Sequence, residues 1–404
     1  MTHKLSQCIV RAAALALFAP LAIPGAVHYD VTLTVDPDGQ VLRGREVVTV
    51  GDGRERAMRF GEGVTVDGEG PGAKVAVKNR ASFSYTAKSG RGLRWLADGA
   101  GLFASFWCEA WMVCDPEPVE RATIRLEIAI PVSAGWTAAG PGMLRRQWRE
   151  GEYERFVFEQ TQPAQTYLFS FGLASLRKFD DGPFTVYAAG GNQSPVFART
   201  RDAWAFLRAK AGVAPMQRGY AQVFLPGLSF GQETAGSALM GEPYRAKLAA
   251  EDDVALMTHE AAHQWWGYAV GIRSWSDFWL NEGVAEFMTA AFVEQHQGKA
   301  AYDAKMADLR RTLEKIRAEG KDRPLHYTGW KTPTEALGRL PYVKGALFLA
   351  RLREDLGEAR FWNGLASYTR RHKGELVDSR DFQAAMEAAA GRSLGALFDQ
   401  WVWK

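Results

Sequence analysis

The stretch MTHEAAHQWWG, residues 257–267, holds two histidines and a glutamate at a spacing that suits a metal-dependent hydrolytic site. His259 and His263 are four residues apart, so their imidazoles would project from the same face of a helix and reach one ion. Glu260 follows the first histidine directly, where its carboxylate can act on a water beside the metal. The alternative is a pair of satisfied core histidines. The spacing favours a zinc site with Glu260 as its base.

A third ligand is expected from the segment WLNEGVAEF, residues 279–287. Glu282 follows His263 with 18 residues between them, and the short stretch GIRSW separates the two helices that carry them. Antiparallel helices joined in this way would bring Glu282 opposite the histidine pair. Two imidazoles, one carboxylate and an open fourth position are typical of a catalytic zinc site. Glu286, one turn farther on, is either a hydrogen-bond partner of a ligand imidazole or a solvated helix residue.

The helix that carries the histidines has candidate end signals. Glu251, Asp252 and Asp253 are acidic and suit the positive end of a helix dipole. Gly267 stands where such a helix would finish. We therefore predict one helix that begins at these acidic residues and ends near Gly267.

The rest of the chain divides into two regions of different pattern. From Tyr29 to Phe171, apolar and polar residues alternate in short runs broken by Gly, Asp and Pro, which predicts β-strands. The character changes near KFDDGPF, and helical periods dominate afterwards, with a small strand component near YAQVFLP. We predict an α+β multidomain fold with an all-β saddle or sandwich domain at 27–179 and an α-rich domain at 180–404.

The first 26 residues have the form of an export signal. Lys4 and Arg11 precede an apolar run that Pro and Gly interrupt, although a buried N-terminal helix is the alternative. No later segment reaches the roughly 18 apolar residues that a membrane helix needs. We predict a signal peptide at 1–26, no stable membrane insertion, and a periplasmic or secreted protein.

The net charge and the cysteine content limit which classes of partner and which cellular compartment are expected. The net charge of +3 is small for 404 residues and no basic stripe stands out, so nucleic acid is not expected as a partner. Cys108 and Cys114 would remain after removal of the signal, and they either form a disulfide or stay as separate buried thiols. The oligomeric state is left open.

The zinc residues and their surroundings resemble the gluzincin aminopeptidases of the aminopeptidase N and leukotriene hydrolase type. THEAAHQWWG and SWSDFWLNEGVAEF match the family pattern of H-E-x-x-H, 18 residues and the Glu of an N-E-G triplet. The resemblance implies that His259, His263 and Glu282 hold one Zn²⁺ ion and that Glu260 is the general base. LPYVKGALFL resembles the family's Y-x-K-G-A segment, which would make Tyr342 the hydroxyl that stabilises the oxyanion.

The resemblance covers about residues 28–404 and implies a thermolysin-like catalytic domain in the second region. VCDPEPVERATIRLEIAIP and TYLFSFG resemble segments of the family's N-terminal β domain, and SLGALFDQWV resembles the end of its catalytic domain. The β and large helical C-terminal domains of full-length members, which limit the cleft to short peptides, have no counterpart here. The limit on substrate length is therefore an open question.

An aminopeptidase also needs carboxylates for the α-amine of its substrate. The family supplies one from a G-A-M-E-N loop, which LSFGQETAGSAL resembles with Glu233 in the acidic position and Thr234 in place of Asn. Glu242 is a rival that lies closer to the zinc helix in sequence. We expect Glu233 to bind the substrate amine.

A second amine anchor in the family falls, by count, on Phe103 in GLFASFWCEAW. Glu109 is the nearby acid, but its register is wrong. One amine-binding group is therefore expected to be absent, and an aromatic residue at 103 would instead line an apolar pocket.

The residues together predict an exported zinc-dependent aminopeptidase that hydrolyses N-terminal residues from peptides with a zinc-activated water. A zinc endopeptidase, or a peptidase of altered N-terminal specificity, is the alternative that the changed anchors and the absent domains favour. A non-catalytic binding scaffold is a third class, disfavoured because the three ligands, the base and Tyr342 are all present.

Overall fold

The computed structural model describes residues 27–67, 74–336 and 338–404. The predicted signal peptide at 1–26 lies outside the described residues. Within these ranges, none of the helices combines the length and the apolar character that a membrane crossing requires.

The first part of the chain is built from β-strands, as the alternating pattern predicts. The strands are β1 (Val27–Asp36), β2 (Val41–Val50), β3 (Arg56–Arg59), β4 (Val64–Val66), β5 (Lys74–Val77), β6 (Arg80–Lys88), β7 (Leu93–Trp95), β8 (Gly101–Ala104), β9 (Arg121–Pro131), β10 (Thr137–Ala139), β11 (Met143–Glu150), β12 (Tyr153–Gln165) and β13 (Phe171–Ala174). They form a seven-stranded sheet in the order β11-β12-β9-β1-β2-β6-β4, a four-stranded sheet in the order β10-β13-β8-β7, and the pair β3-β5.

The two larger sheets contribute to one buried core. Along β1 every second side chain is buried, from Val27 through Tyr29 and Val31, because successive residues of a strand face opposite sides. Leu102 of β8 and Leu173 of β13 belong to the same buried cluster. The alternation in the sequence thus corresponds to one face on the core and one face toward solvent.

The second part combines a mixed sheet with helices. Its strands are β14 (Arg177–Asp181), β15 (Phe184–Ala188), β16 (Tyr220–Leu225), β17 (Gly231–Thr234), β18 (Ser237–Gly241), β19 (Gly271–Ile272) and β20 (Leu376–Val377). Its helices are α1 (Ser194–Ala211), α2 (Glu242–Glu251), α3 (Ala255–Ala262), α4 (Trp279–Gln297), α5 (Lys299–Ala318), α6 (Pro333–Ala336), α7 (Arg339–Leu356), α8 (Glu358–Arg371), α9 (Ser379–Ala390) and α10 (Gly395–Phe398), followed by a π-helix (Asp399–Trp403). The sheet order is β14-β15-β16-β18-β17. The predicted α+β architecture, with a β-rich part before a helical part, is confirmed.

The change from one part to the other falls next to β14. This strand pairs with β15 along its whole length, so it belongs to the second sheet. The predicted junction between residues 179 and 180 lies inside β14, a few residues after the point where the strand pairing changes.

Side chains from the first part bind directly to the backbone of the second. The Arg121 guanidinium donates to the carbonyl oxygens of Gly374 at 2.6 Å and Tyr268 at 3.1 Å. Gln165 donates to the carbonyl oxygen of Ile272 at 3.0 Å. Asn281 of α4 donates to the hydroxyl of Tyr167 at 2.6 Å. These contacts hold the β-rich part against the end of α4 that carries Glu282.

Candidate active site

The three predicted ligands meet at one point between α3 and α4. Nε2 of His259 lies 3.2 Å, and Nε2 of His263 lies 3.4 Å, from the same carboxylate oxygen of Glu282. Ligand atoms around a tetrahedral zinc ion, at about 2.0–2.2 Å from the metal, are about 3.3–3.6 Å apart. The three side chains therefore fit one zinc ion, as the sequence predicted.

Both imidazoles are oriented by partners on their other nitrogen. Nδ1 of His263 lies 3.0 Å from the carbonyl oxygen of Trp266, and Nδ1 of His259 lies 3.4 Å from a carboxylate oxygen of Glu286. An acceptor on Nδ1 keeps the proton there and leaves the lone pair of Nε2 for a metal. Glu286 is held in turn by Lys305 at 2.7 Å. Of the two readings of Glu286, the hydrogen-bond partner is confirmed.

The helix that carries the histidines differs from the prediction at both ends. It begins at Ala255 rather than at the acidic residues, because α2 ends at Glu251 and Asp252 turns the chain with a left-handed φ of 56°. Asp252 binds Arg199, and its other oxygen lies 2.8 Å from Nε2 of His296. The helix ends at Ala262, well before Gly267. Asp252 therefore connects α2 to α1 and α4, whereas the side chain of Asp253 accepts the backbone N–H of Ala255 at 3.1 Å, at the start of α3.

Glu260 projects from α3 beside the ligands, with 3% of its surface exposed. Within the described ranges its Oε2 has no hydrogen-bond partner, so this oxygen is available to a water or substrate. The backbone of β17 passes very close to it: a Cβ added at Gly231 would lie 2.1 Å from Oε1 of Glu260. A side chain at position 231 would therefore force the Glu260 carboxylate to move, a constraint that the sequence analysis did not detect.

Tyr342 reaches the site because α7 contacts α4 closely. A Cβ added at Gly345 would lie 2.7 Å from the Cα of Gly283, so the two helices touch through their glycines. The Tyr342 ring stacks on His259 with a centroid distance of 5.9 Å and an angle of 12°. Burial, then the charge of Glu282, raises the pKa of the Tyr342 phenol and keeps it a hydrogen-bond donor.

Glu233 lies on β17 and faces the same centre. An oxygen of Glu233, one of Glu260 and a ring nitrogen of His263 all lie within 4.8 Å of one another. Gln232 donates its side-chain amide to Oε2 of Glu233 at 2.7 Å, while Oε1 is buried and has no partner in the described part of the chain. The structure thus brings Glu233 to the ligands and adds Gln232, which the sequence analysis missed.

Of the other residues considered for binding the substrate amine, Glu242 and Glu109 lie outside the site, and Phe103 lies on its wall. Glu242 pairs with Arg245 at 2.8 Å at the start of α2. Glu109 belongs to the short loop that the Cys108–Cys114 disulfide closes, where the two Cα atoms are 6.2 Å apart. Phe103 does line the cleft, on a cavity that also contains Glu233, Glu282 and Tyr342.

The carboxyl groups of the site have different proton affinities. Burial raises the pKa of Glu233 to about 8, with His263 opposing the rise, and raises the pKa of Glu260 to about 7 against the charges of the two histidines. At Glu282 the charge of His263 and the hydrogen bond of His259 overcome burial and lower the pKa to about 2. Burial thus favours the protonated form of Glu233 and Glu260, whereas the neighbouring histidines favour the ionised form of Glu282.

Known proteins are similar to this chain in both sequence and fold. Residues 226–401 match the Peptidase family M1 domain. Aminopeptidase N of Lactococcus lactis subsp. lactis is 26% identical over 316 residues, which are 72% of this chain and 36% of that protein. The leukotriene A-4 hydrolase homologue of Botryotinia fuckeliana is 24% identical over 391 residues, which are 87% of this chain and 59% of that protein. This chain thus spans less than two thirds of the length of these curated relatives.

Two solved structures have the same architecture. The M1 zinc metallopeptidase from Deinococcus radiodurans superposes with a TM-score of 0.73 at 22% identity and covers 93% of each chain. The yeast leukotriene A-4 hydrolase in complex with bestatin gives a TM-score of 0.75 at 18% identity and covers 94% of this chain and 68% of that one. The predicted resemblance to this family is confirmed.

Proposed function

We propose that this chain, whose residues 226–401 match the Peptidase family M1 domain, is a zinc-dependent aminopeptidase that removes N-terminal residues from peptides. The observation that carries the proposal is the carboxyl group of Glu233: its oxygen Oε1 is buried without a partner among the described residues, and one of its two oxygens lies within 4.8 Å of a ring nitrogen of His263. A buried carboxylate is stabilised by a cation that donates hydrogen bonds to it. The α-ammonium group of a peptide supplies such a cation.

The short distance between the amine site and the ligands favours removal of one residue at a time. An oxygen of Glu233 lies within 4.8 Å of a ring nitrogen of His263. Successive Cα atoms of a peptide are about 3.8 Å apart. Only the first residue fits between an amine held at Glu233 and a carbonyl held beside the ligands.

The residues of the site divide the chemistry among them. A zinc ion held by His259, His263 and Glu282 would supply a Lewis acid that polarises the scissile carbonyl and acidifies water. Glu260 takes a proton from the attacking water and passes it to the leaving nitrogen. The Tyr342 hydroxyl donates to the carbonyl oxygen as negative charge develops on it.

The first experiment compares matched peptides with free and acetylated N-termini by mass spectrometry. Stepwise shortening of the free peptides alone is expected. Glu260→Gln should keep its zinc and lose nearly all activity, and Glu233→Gln should mainly raise KM for free peptides. Glu242→Gln, at an acid outside the site, is the matched control and should behave as wild type. Full activity of Glu260→Gln would falsify the mechanism.

A zinc endopeptidase is the second candidate. The specific observation in its favour is Phe103, an apolar residue on the cavity wall beside Glu233. With one carboxylate for the amine, selection of free N-termini depends on Glu233. Cleavage at internal bonds, or equal rates on acetylated peptides, would establish this second function.

We also propose that the protein is exported. The predicted signal peptide at 1–26 supports this, and a disulfide between Cys108 and Cys114 suits an oxidising compartment. Cell fractionation and N-terminal sequencing of the recovered protein test the proposal. A cytoplasmic protein that retains its first residues would overturn it.

A further inference from the structure

We propose that a cavity of about 560 Å³ beside Glu233 binds the side chain of the first substrate residue and selects large aromatic side chains over small and basic ones. This inference rests on the proposed aminopeptidase function. It adds which peptides are accepted, and it assigns that choice to Phe103, Phe230 and Arg94.

The position of the catalytic groups identifies the occupant of the cavity. Glu233, Glu282 and Tyr342 line both this cavity and a second space of about 350 Å³, so the two spaces meet at the candidate ligands. Of the two, only the second space is also lined by His259, Glu260 and Lys305. The leaving nitrogen receives its proton from Glu260, so the rest of the peptide extends into the second space. With the amine at Glu233, the side chain of the first residue enters the first cavity.

Several aromatic side chains form the wall of this cavity, among them Phe103, Phe106, Trp107 and Phe230. Phe103 and Phe230 pack edge to face with their centroids 5.9 Å apart. Phe106 contacts Trp107 at 5.2 Å and Tyr167 at 5.1 Å, which fixes the opposite part of the wall. Aromatic walls of this kind suit an aromatic side chain, because edge and face contacts between rings add to the gain from apolar burial.

Phe230 exposes apolar surface at this cavity that a bound side chain would cover. It is 39% exposed, one of three large hydrophobic side chains that are exposed in the described ranges, and it stands at this cavity. Phe103, in contrast, is only 5% exposed and is anchored on β8. A large apolar side chain between the two would cover Phe230 and gain from the removal of its surface from water.

Basic residues at the edge of the cavity account for the expected discrimination against basic side chains. Arg94 pairs with Phe103 across β7 and β8, so both side chains lie on the same face of that sheet. Arg91 also lines the cavity, and its guanidinium lies 5.6 Å from the centre of the Trp107 ring. The Arg94 guanidinium repels a lysine or arginine side chain that enters beside it.

The test measures kcat/KM on a series of peptides X-Ala-Ala-Ala with X = Phe, Tyr, Leu, Ala, Glu and Lys. We expect Phe and Tyr to exceed Ala by at least tenfold and Lys by more, in the range that apolar pockets reach. A preference for Glu, or values for all six within threefold of one another, would overturn the inference. If all six values lie within threefold of one another but the peptides are still shortened from the N-terminus, the inference fails while the proposed aminopeptidase function stands.

Variants locate the selection in the named residues. Phe230→Ala should lower kcat/KM for the Phe peptide by about tenfold and leave the Ala peptide within twofold, and it keeps the core intact because Phe230 is partly exposed. Met143→Ala, at an exposed apolar residue outside this cavity, is the matched control. Arg94→Ala should improve the Lys peptide relative to Phe. Equal losses on the Phe and Ala peptides in Phe230→Ala would refute the role of this wall.

Discussion

The contact between Gly283 and Gly345 predicts a strong effect of one added methyl group. In Gly345→Ala the new Cβ would lie 2.7 Å from the Cα of Gly283, whereas ordinary contacts of a Cβ begin at 3.4 Å. Both neighbours are backbone of a helix and cannot rotate away. The two helices must therefore separate by about 0.7 Å at this point.

Two opposing contributions determine the stability of the Gly345→Ala variant, and the displacement of Tyr342 determines its rate. Alanine in place of glycine gains about 1 kcal/mol of helix propensity, and overpacking costs about 1–3 kcal/mol, so the variant should fold. Tyr342 stands three residues before Gly345 on α7 and moves with that helix. Because a misplacement of about 1 Å can cost on the order of 100-fold in rate, we expect kcat to fall by roughly 10- to 100-fold with little change in KM.

The assay measures kcat and KM on a free peptide, together with zinc content and the thermal unfolding midpoint. Gly338→Ala is the matched control, since Gly338 precedes the same helix with φ of −65° and has nothing within 4 Å of its added Cβ. A Gly345→Ala enzyme with kcat within twofold of wild type would refute the argument that this contact positions Tyr342. Loss of zinc from the variant would also contradict it, because Glu282 would then be the residue displaced.

Three further predictions concern buried groups and the metal. Burial raises the pKa of Glu46 from 4.5 to about 8, so the folded state binds this proton more tightly than the unfolded state does. The free energy of unfolding should therefore fall by on the order of 2–4 kcal/mol between pH 5 and pH 8.5, as measured by urea titration. Glu46→Gln should remove most of this fall. Replacement of Cys108 and Cys114 by serine should lower the free energy of unfolding by about 2 kcal/mol, as measured by urea titration without reductant, because a short closed loop is released. Glu286→Gln should weaken zinc affinity by about 10- to 100-fold in a chelator competition and leave kcat of the zinc-saturated enzyme close to wild type.

Each of these predictions has an outcome that contradicts it. The same pH dependence in wild type and Glu46→Gln would place the titrating group elsewhere. Equal unfolding midpoints for the serine double variant and wild type would mean that the disulfide does not restrict the unfolded chain. For Glu286→Gln, unchanged zinc affinity would show that its hydrogen bond to His259 does not support the metal.

The metal site was predictable because its information is local in sequence. His259, Glu260 and His263 lie within about one helical turn, so their spacing places them together, and Glu282 on the next helix was added from a ligand set known in other zinc hydrolases. The disulfide was left open because its geometry depends on a loop that no periodicity describes. Glu233 was predicted through a resemblance, and its buried, unpartnered oxygen became visible only in the folded chain.

The missed features depend on contacts between distant segments. The acidic residues before α3 look like a helix start, but Asp252 is taken by Arg199 and His296, which lie 53 and 44 residues away. Gly283 and Gly345 stand inside helices, where an isolated glycine is a known sign of close packing, although its partner cannot be read from one segment. Local propensity therefore predicted the elements and left their mutual approach undetermined.

The aromatic cavity is shared between two parts of the chain, and this has a consequence for how such enzymes change. Phe103, Phe106 and Trp107 come from the β-rich part, whereas the zinc ligands, the base and Tyr342 come from the helical part. In the proposed enzyme, substitutions at Arg94 and Trp107, which are not buried, can therefore change the choice of peptide without altering the candidate ligands, Glu260 or Tyr342. A directed-evolution library restricted to these two positions should yield new selectivities at a lower rate of inactive clones than one that also varies the buried residues Leu93, Leu102 and Phe106 of the stretch 91–107.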